Sequence, residues 1–328
     1  MIKSNTAGRV ADVSDAAVSG AGPNTSFRGG MRTFAVALGA TALCAVTAPA
    51  EGGLISGPDA SHRALALNYL VGGSVVQNTG GGAVALRTYL NGVQQNLSSS
   101  LLSDRYVLAP LHGVTRVLDI TRPTGIAAGQ SLEISIGSNA QTNRGQVVSV
   151  ARIITFPGAS ANSQNLPDYC VLELSQAISG VRPVTLADPV FGQNAVITGF
   201  GSVAVPNGSP LRDFWARAGY APVLPLNQMA NYSSTYYRET EFDSDLGIAL
   251  NWNGQNGDSG ASVNAINGNF WGIVIGGTSG TIGNQRTDFL FTGPSNPTVY
   301  NNLVQYVPSP SSGALLGLAG LVVARRRR

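Results

Sequence analysis

The sequence has few side chains that could act as a general base. Its 328 residues include two histidines, His62 and His112, and one lysine, Lys3, which lies close to the start of the chain. A serine becomes a nucleophile only when a neighbouring base accepts its proton. A serine–lysine pair is therefore nearly excluded, and any serine nucleophile in this chain depends on one of the two histidines.

Cysteine is equally scarce, with Cys44 and Cys170 as its two examples. Cys44 lies in a predicted signal peptide, described below, so Cys170 has no partner for an intrachain disulfide. Two distant histidines and one cysteine do not form a cluster of metal ligands. The sequence therefore predicts no metal and no other cofactor, and a fold stabilised by its apolar core rather than by cross-links.

Charged residues are also rare, at 11% of the sequence. Between residues 51 and 307 there are 12 arginines, no lysine and 15 acidic residues, which gives this segment a net charge of −3. Binding to a nucleic acid backbone requires a positively charged surface. A function in nucleic-acid binding is therefore not expected.

The first 50 residues have the pattern of a secretory signal. A basic start at Met31 precedes an apolar stretch at 34–46, and residues 48–50 are Ala-Pro-Ala, a small-x-small cleavage site. We assign residues 1–50 to a signal peptide region and expect an exported protein. Translation from Met31 is the favoured interpretation, and an unusually long leader is the alternative.

Residues 307–328 form a second terminal signal, in which VPSP is followed by an apolar stretch at 314–324 and four arginines. This order resembles the PEP-CTERM sorting tails of Gram-negative bacteria, whose usual motif is Pro-Glu-Pro. The apolar stretch is too short to span about 30 Å of hydrocarbon as a helix. The resemblance implies a transient membrane anchor, held by its arginines and processed by a sorting enzyme. The protein is then expected in the periplasm, at the outer surface or in the extracellular matrix, and a permanent anchor is the alternative.

The middle of the chain predicts an all-β fold, because glycine and small polar residues are abundant and no long segment has helical periodicity. Apolar runs bounded by turn residues predict two sets of strands, separated by a proline-bounded linker at 181–189. The first set is 83–90, 106–111, 116–120, 131–136, 146–156 and 169–174, and the second is 195–197, 213–223, 246–250, 261–265, 270–275 and 288–291. Residues 51–78 form a lead-in, 224–245 have no assignable pattern, and 299–307 predict a short helix.

The segment 257–260, GDSG, contains the best candidate for a nucleophile. Gly257 would let its own N–H and that of Ser259 converge on one oxyanion. Gly260 would let the chain leave without crowding the nucleophile. The same four residues are also common in ordinary turns, so the motif alone leaves both interpretations open.

His112 is the better candidate for the base. It ends an apolar run, YVLAPLH, that could hold the imidazole rigidly, as a catalytic base requires. His62 lies among small and polar residues and is expected at the surface. Asp168 follows Pro167 and precedes another apolar run. His112 and Asp168 could also have purely structural roles, the histidine at the end of a strand and the aspartate in a turn.

Four segments resemble blocks that are typical of chymotrypsin/trypsin-like serine proteases. Residues 106–114, YVLAPLHGV, resemble the strand that ends in the catalytic histidine, and 167–174, PDYCVLEL, look like the DIALLKL strand. Residues 195–202, AVITGFGS, are similar to TGWGS, and 270–277, FWGIVIGG, to GIVSWG. Together with GDSG these blocks occur in the order His, Asp, Ser, which distinguishes this family from subtilisins and α/β-hydrolases. The resemblance extends over about residues 100–305.

The resemblance implies two packed antiparallel β-barrels and a short C-terminal helix. Residues 51–180 would contain the lead-in and the first barrel, and residues 181–306 the linker and the second, with the site between them. The implied function is an exported serine endopeptidase that acts on a polypeptide through an acyl-enzyme. Ser259 would be the nucleophile, His112 the base and Asp168 the residue that orients it, while Gly257 and Ser259 would form the oxyanion hole.

The resemblance also has implications for specificity. Asn253 aligns with the base of the primary pocket, where a carboxylate would select Arg or Lys, so a neutral side chain is expected in the substrate. Gly276 and Gly277 align with the pocket wall and leave its entrance open. Ile275 replaces the serine that is usual beside the catalytic aspartate.

In this family, the aspartate before the nucleophile often pairs with a new N-terminal Ile or Val that zymogen cleavage releases. No Arg or Lys precedes residues 53–57, GLISG. We therefore expect Asp258 either to be held by neighbouring backbone or to depend on a different maturation cut.

Two functions of other classes remain open at this point. One is a catalytically inactive protein with the protease fold that binds a polymer or peptide at the cell surface. The other is a β-sandwich adhesin or carbohydrate-binding module, since such domains have a similar composition. The second alternative predicts that His112, Asp168 and Ser259 do not converge.

Overall fold

The described residues of the computed structural model are 53–54, 58–90, 93–201, 203–204, 213–225, 232–242, 258–278 and 285–307. The predicted signal peptide, the tail beyond Val307 and the predicted strand 246–250 lie outside them, as do Asn253 and Gly257. Within these ranges, no helix is long and apolar enough to cross a membrane.

The lead-in contains a short strand, β1 (Gly53–Leu54), and two helices, α1 (Asp59–Ala66) and α2 (Ser74–Thr79). Helix α1 has Asp59 in its first turn and Arg63 in its last turn, which suits the helix dipole. Its buried face includes His62 and Ala66, which lie one turn apart.

Six antiparallel strands form a closed first barrel, in the order β2–β3–β4–β7–β6–β5. They are β2 (Gly82–Leu90), β3 (Val93–Leu101), β4 (Tyr106–Ala109), β5 (Ser131–Ser135), β6 (Val147–Ile154) and β7 (Cys170–Leu174). In β6, Val148 and Val150 are buried and Ser149 is exposed, which is the alternation of a half-buried strand. The inward side chains of all six strands fill the barrel with a continuous apolar core.

A second antiparallel sheet has the order β10–β8–β12–β13–β14–β11. Its strands are β8 (Asn194–Gly199), β10 (Arg217–Pro222), β11 (Tyr237–Phe242), β12 (Ser262–Asn264), β13 (Phe270–Thr278) and β14 (Gln285–Phe291), while the short β9 (Val203–Ala204) pairs in parallel with β1. A bridge between Val223 and Thr240 joins its two edges, so the sheet curls into a partly closed second barrel around its own apolar core.

The two barrels pack face to face through a shared apolar cluster. Leu108, Tyr169 and Val171 of the first barrel contact a layer formed by Phe270, Ile273 and Leu290 of the second, together with Val299 and Leu303. The last two residues lie on helix α4 (Pro297–Leu303), which confirms the predicted C-terminal helix. Asn296 begins this helix by accepting a hydrogen bond from the N–H of Val299. The all-β, two-barrel prediction is thereby confirmed, and the β-sandwich alternative is wrong.

One predicted strand is wrong, and two of the observed barrel strands were not predicted. Residues 116–120 do not form a strand, because helix α3 (Leu111–Val114) continues into a 3₁₀ turn at Thr115–Val117. Strand β3 was missed because its buried half consists of polar Ser98–Ser100. Strand β11, YRETEF, was missed because its charged residues give no apolar pattern.

His62 is buried and not at the surface. It is fully enclosed between α1 and β10, and its Nδ1 donates a hydrogen bond to the carbonyl of Ala218 at 2.7 Å. Next to it, Arg217 of β10 bonds to both Asp59 and Asp213. These contacts fix α1 against the second barrel, so His62 has a structural role there.

Candidate active site

Strand β4 delivers His112 to the cleft between the barrels. Pro110 ends the strand and precedes α3, where its fixed φ is compatible with a helix start. Leu111 and Val114 are buried and anchor this single turn, while the His112 side chain remains 33% exposed. The sequence YVLAPLHGV thus produces a rigid apolar strand that ends in an accessible imidazole.

Asp168 lies two residues before β7 begins and binds His112 through both carboxylate oxygens. Its Oδ1 accepts the backbone N–H of His112 at 3.0 Å, and its Oδ2 accepts Nδ1–H at 2.6 Å. The Asp168 side chain is only 6% exposed. This pair of contacts fixes both the orientation and the tautomer of the imidazole, so that Nε2 is free to accept a proton.

Ser259 faces that nitrogen from the second barrel, and its Oγ lies 2.9 Å from His112 Nε2. The serine lies in a tight turn that is closed by a hydrogen bond from the N–H of Ala261 to the carbonyl of Asp258 at 2.7 Å. Asp168, His112 and Ser259, which are far apart in the sequence, are therefore joined by one line of hydrogen bonds.

Gly260 has two reasons to be glycine. Its φ of +87° is in the left-handed region, and a Cβ at this position would lie 2.0 Å from the carbonyl oxygen of Ser98. The glycine is required because strand β3 of the first barrel passes directly behind the Ser259 turn.

Asp258 is buried, and its Oδ1 accepts the backbone N–H of Gly201 at 2.9 Å. A Cβ on Gly201 would come within 2.4 Å of the carboxyl group, and one on Gly199 within 2.5 Å. The two glycines therefore create the space that this carboxylate occupies. Of the two expectations for Asp258, the contact agrees with the one in which backbone holds it.

Tyr237 is a residue of the site that the sequence analysis missed. It is fully buried on β11, and its phenol oxygen accepts the backbone N–H of Asp168 at 2.9 Å and donates to the carbonyl of Leu166 at 2.6 Å. Burial and the nearby charge of Asp168 raise its pKa, which keeps the phenol protonated. It lies in 224–245, where no pattern was assignable.

A cavity of about 230 Å³ lies beside His112 and Asp168. Its other walls are Tyr232, Ile275 and the segment 161–164, ANSQ. Ile275, at the position where the resemblance implies a serine, thus lines the same cavity as Asp168. The Tyr232 hydroxyl lies 3.0 Å from where a Cβ of Gly276 would be, so the missing side chain makes room for this phenol. Gly277, the other predicted wall residue, pairs with Thr287 on β14.

Cys170 does not contribute a reactive thiol. It is fully buried, and its Sγ contacts the carbonyl of Ala109 at 3.7 Å. Burial and the charge of Asp168 raise the pKa of the thiol, which disfavours the thiolate.

Close enough to Tyr232 to influence its pKa, two acidic residues lie opposite each other on neighbouring strands. Asp288 of β14 and Glu239 of β11 are direct cross-strand partners, both 1% exposed, and Arg286 donates to Glu239 at 3.1 Å. Burial and the charge of Glu239 raise the pKa of Asp288 to about 7. The Asp288 carboxyl therefore stays protonated to a higher pH than an exposed aspartate. Within the described ranges, no three His, Cys, Asp or Glu side chains are arranged to hold a metal ion.

The chain matches a family model and many solved structures. The family model described as Trypsin matches residues 76–305. Among solved structures, the crystal structure of the scabies mite inactivated protease paralogue S-I1 is similar over 69% of this chain and 93% of that one, with a TM-score of 0.50 and 17% sequence identity. At this identity the likeness shows the fold alone. A comparison with curated proteins gives no match.

Proposed function

The chain belongs to the trypsin family of serine proteases, and on that premise we propose that it is an exported serine endopeptidase. The observation that carries the proposal is the line of hydrogen bonds from Asp168 through His112 to Ser259, at 2.6 and 2.9 Å. These distances between nucleophile, base and orienting carboxylate are within the range that proton transfer requires.

In the proposed reaction, Ser259 Oγ attacks the peptide carbonyl carbon as its proton moves to His112 Nε2. The carbonyl oxygen becomes an oxyanion, for which the N–H groups of Gly257 and Ser259 are the proposed donors. His112 then gives its proton to the leaving amine as the C–N bond breaks and the acyl-enzyme forms. Water, deprotonated by the same nitrogen, attacks the ester, and the proton returns to Ser259. Asp168 stabilises the imidazolium during both acylation and deacylation.

We further propose that the substrate side chain in the primary pocket is neutral. Asn253, which the resemblance aligns with the base of the pocket, cannot form an ion pair with Arg or Lys. Gly276, aligned with the pocket wall, has the Tyr232 hydroxyl beside it rather than a charged group. The substrate is a polypeptide, and the walls of the cavity beside His112 consist mainly of amide, hydroxyl and apolar groups.

For localisation, we propose export by the signal at 1–50 and sorting by the tail at 307–328, so that the enzyme works outside the cytoplasm of a Gram-negative-type bacterium. Deletion of residues 314–328 should release the protein into the medium of its native host. Unchanged association with the cells would contradict the anchor.

A fluorophosphonate probe, which reacts only with an activated serine, tests the proposed chemistry. We expect labelling at Ser259, its loss in Ser259→Ala, and a rate lower by about 10³-fold or more in His112→Ala and Asp168→Asn. His62→Gln is the matched control, since the other histidine should affect stability but not labelling. A folded wild-type protein that is not labelled would instead support the catalytically inactive alternative.

A further inference from the structure

Strand β3 contains three consecutive serines, Ser98, Ser99 and Ser100, and all three are fully buried. Burial of a hydroxyl is unfavourable unless it forms hydrogen bonds. Successive side chains of a strand point to opposite faces, and these three differ accordingly. Ser98 and Ser100 contact segments around Ser259, whereas the Ser99 hydroxyl has no hydrogen-bond partner among the described residues.

The backbone of β3 supports the Ser259 turn directly. The N–H of Ser98 donates to the carbonyl of Ser259 at 3.1 Å, and the Ser100 hydroxyl donates to the carbonyl of Gly260 at 3.4 Å. The carbonyl of Ser98 occupies the space that a side chain at Gly260 would need. Strand β3 of the first barrel therefore contacts two consecutive residues of the turn in the second barrel, Ser259 and Gly260.

The Ser98 side chain reaches the same turn by a second route. Its Oγ accepts the buried backbone N–H of Phe200 at 2.9 Å. The next N–H along the chain, that of Gly201, binds Asp258 Oδ1 at 2.9 Å. Ser98 is thus connected to Ser259 directly, through its amide, and indirectly, through Phe200, Gly201 and Asp258.

We propose that the Ser98 hydroxyl is a positioning residue for Ser259, an inference that rests on the proposed protease function. Without this acceptor, the Phe200 N–H would be buried and unpaired, which is unfavourable enough to displace the segment. Gly201 would move with it, Asp258 would lose its fixed position, and Ser259 would shift relative to His112. Small displacements of a reacting group reduce the rate strongly.

The test compares Ser98→Ala with Ser99→Ala in the full chain. Both variants remove one buried hydroxyl from the same strand, but only the first removes a hydrogen bond of this network. With the fluorophosphonate probe, we expect Ser98→Ala to lower the limiting inactivation rate by about 10- to 100-fold with little change in probe affinity. Ser99→Ala should keep the wild-type rate. Wild-type reactivity in Ser98→Ala, or an equal loss in both variants, would overturn the proposal.

Two additions keep the test decisive. If Ser98→Ala does not fold, Ser98→Cys replaces it, because a thiol preserves the packing but is a poor acceptor for the Phe200 N–H. This variant should also react slowly with the probe. A wild-type inactivation rate in Ser98→Cys would refute the inference. Amide hydrogen exchange at Phe200 and Gly201 should accelerate in Ser98→Ala but not in Ser99→Ala, and unchanged exchange would equally refute it. Because exchange does not require catalysis, a wild-type protein that fails to react with the probe would count against the proposed function and not against the Ser98 contact.

Discussion

The phenol oxygen of Tyr237 binds the backbone next to Asp168, accepting its N–H at 2.9 Å. The same oxygen donates to the carbonyl of Leu166 at 2.6 Å. Tyr237, a side chain of the second barrel, therefore holds the segment of the first barrel that carries Asp168. The Asp168 carboxylate itself is left free to bind His112.

Tyr237→Phe keeps the ring but removes both hydrogen bonds. We expect kcat to fall about tenfold, with KM nearly unchanged, because Asp168 is no longer fixed relative to His112. The free energy of unfolding should decrease by about 1–3 kcal/mol, because a buried N–H and a carbonyl lose their partner. Steady-state kinetics and urea unfolding measure the two effects. Tyr236→Phe, on the adjacent residue, is the control, and equal kcat values in both variants would contradict the role of Tyr237.

The Asp288–Glu239 pair predicts an unusual dependence of stability on pH. Because the pKa of Asp288 is raised from 3.8 to about 7 in the folded protein, its protonated form stabilises the fold at low pH. That contribution is lost as the pH rises from about 4 to about 7. Asp288→Asn keeps the neutral form at every pH, so the variant should gain stability over the wild type as the pH rises.

Urea unfolding at pH 5 and pH 8 tests this prediction. The difference between Asp288→Asn and the wild type should be larger at pH 8 than at pH 5. Asp104→Asn, at an exposed position, should differ from the wild type by the same amount at both pH values. A pH-independent effect of Asp288→Asn would show that the carboxyl is ionised in the folded protein throughout this range.

Arg217→Met tests the attachment of α1 to the second barrel. The Arg217 side chain is 2% exposed and bonds to Asp59 and to Asp213, the latter at 2.8 Å. Its removal leaves the two partly buried carboxylates with only one shared cation, the more exposed Arg63. We expect a loss of about 2–3 kcal/mol in the free energy of unfolding. Arg152→Met, at a 49% exposed arginine paired with Glu173, should cost less than about 1 kcal/mol. Similar decreases in the free energy of unfolding for the two variants would show that the buried arginine stabilises the fold no more than the exposed one.

The contact between Asp258 and Gly201 predicts that no newly cut amino terminus is needed for activity. We expect a chain that carries an uncleaved tag before Glu51 to react with the fluorophosphonate probe as fast as the chain that begins at Glu51. Mass spectrometry of the labelled product verifies that the tag is intact. Labelling that begins only after the tag is removed would show that a free N-terminal amine completes the site.

Asn253→Asp should shift the substrate preference toward Arg or Lys. A carboxylate shielded from water at the base of the pocket would bind a cationic side chain through charge-assisted hydrogen bonds, which are about twice as strong as neutral ones. The ratio of kcat/KM for matched peptide substrates measures this preference. Asn256→Asp, three residues further along, controls for added charge. A folded, probe-reactive Asn253→Asp variant with unchanged preference would show that Asn253 does not line the pocket.

The parts of the site that the sequence predicted are those with local signals. His112 follows an apolar strand, Asp168 precedes another, and the glycines around Ser259 mark a turn, so each can be recognised within about ten residues. The order of these segments then indicated the two-barrel fold.

The parts that the sequence did not predict depend on buried polar groups whose partners are distant in the chain. Ser98 bonds to Phe200, 102 residues away, and Tyr237 to Asp168, 69 residues away. No local pattern distinguishes a buried serine strand from a polar loop when its partners are unknown. His62 was misplaced for the same reason, because its partner, Ala218, lies on a strand that follows 156 residues later.

The reciprocal support between the barrels has a consequence for biosynthesis. Ser98 of the first barrel supports the Ser259 turn, and Tyr237 of the second supports Asp168. A nascent chain that has been synthesised only through the first barrel therefore lacks Ser259, the proposed nucleophile, and the Tyr237 hydrogen bonds that hold the Asp168 loop. In the proposed enzyme, cleavage begins only after nearly the whole domain has been translated and folded, so an unfinished chain cannot digest the machinery that makes or exports it.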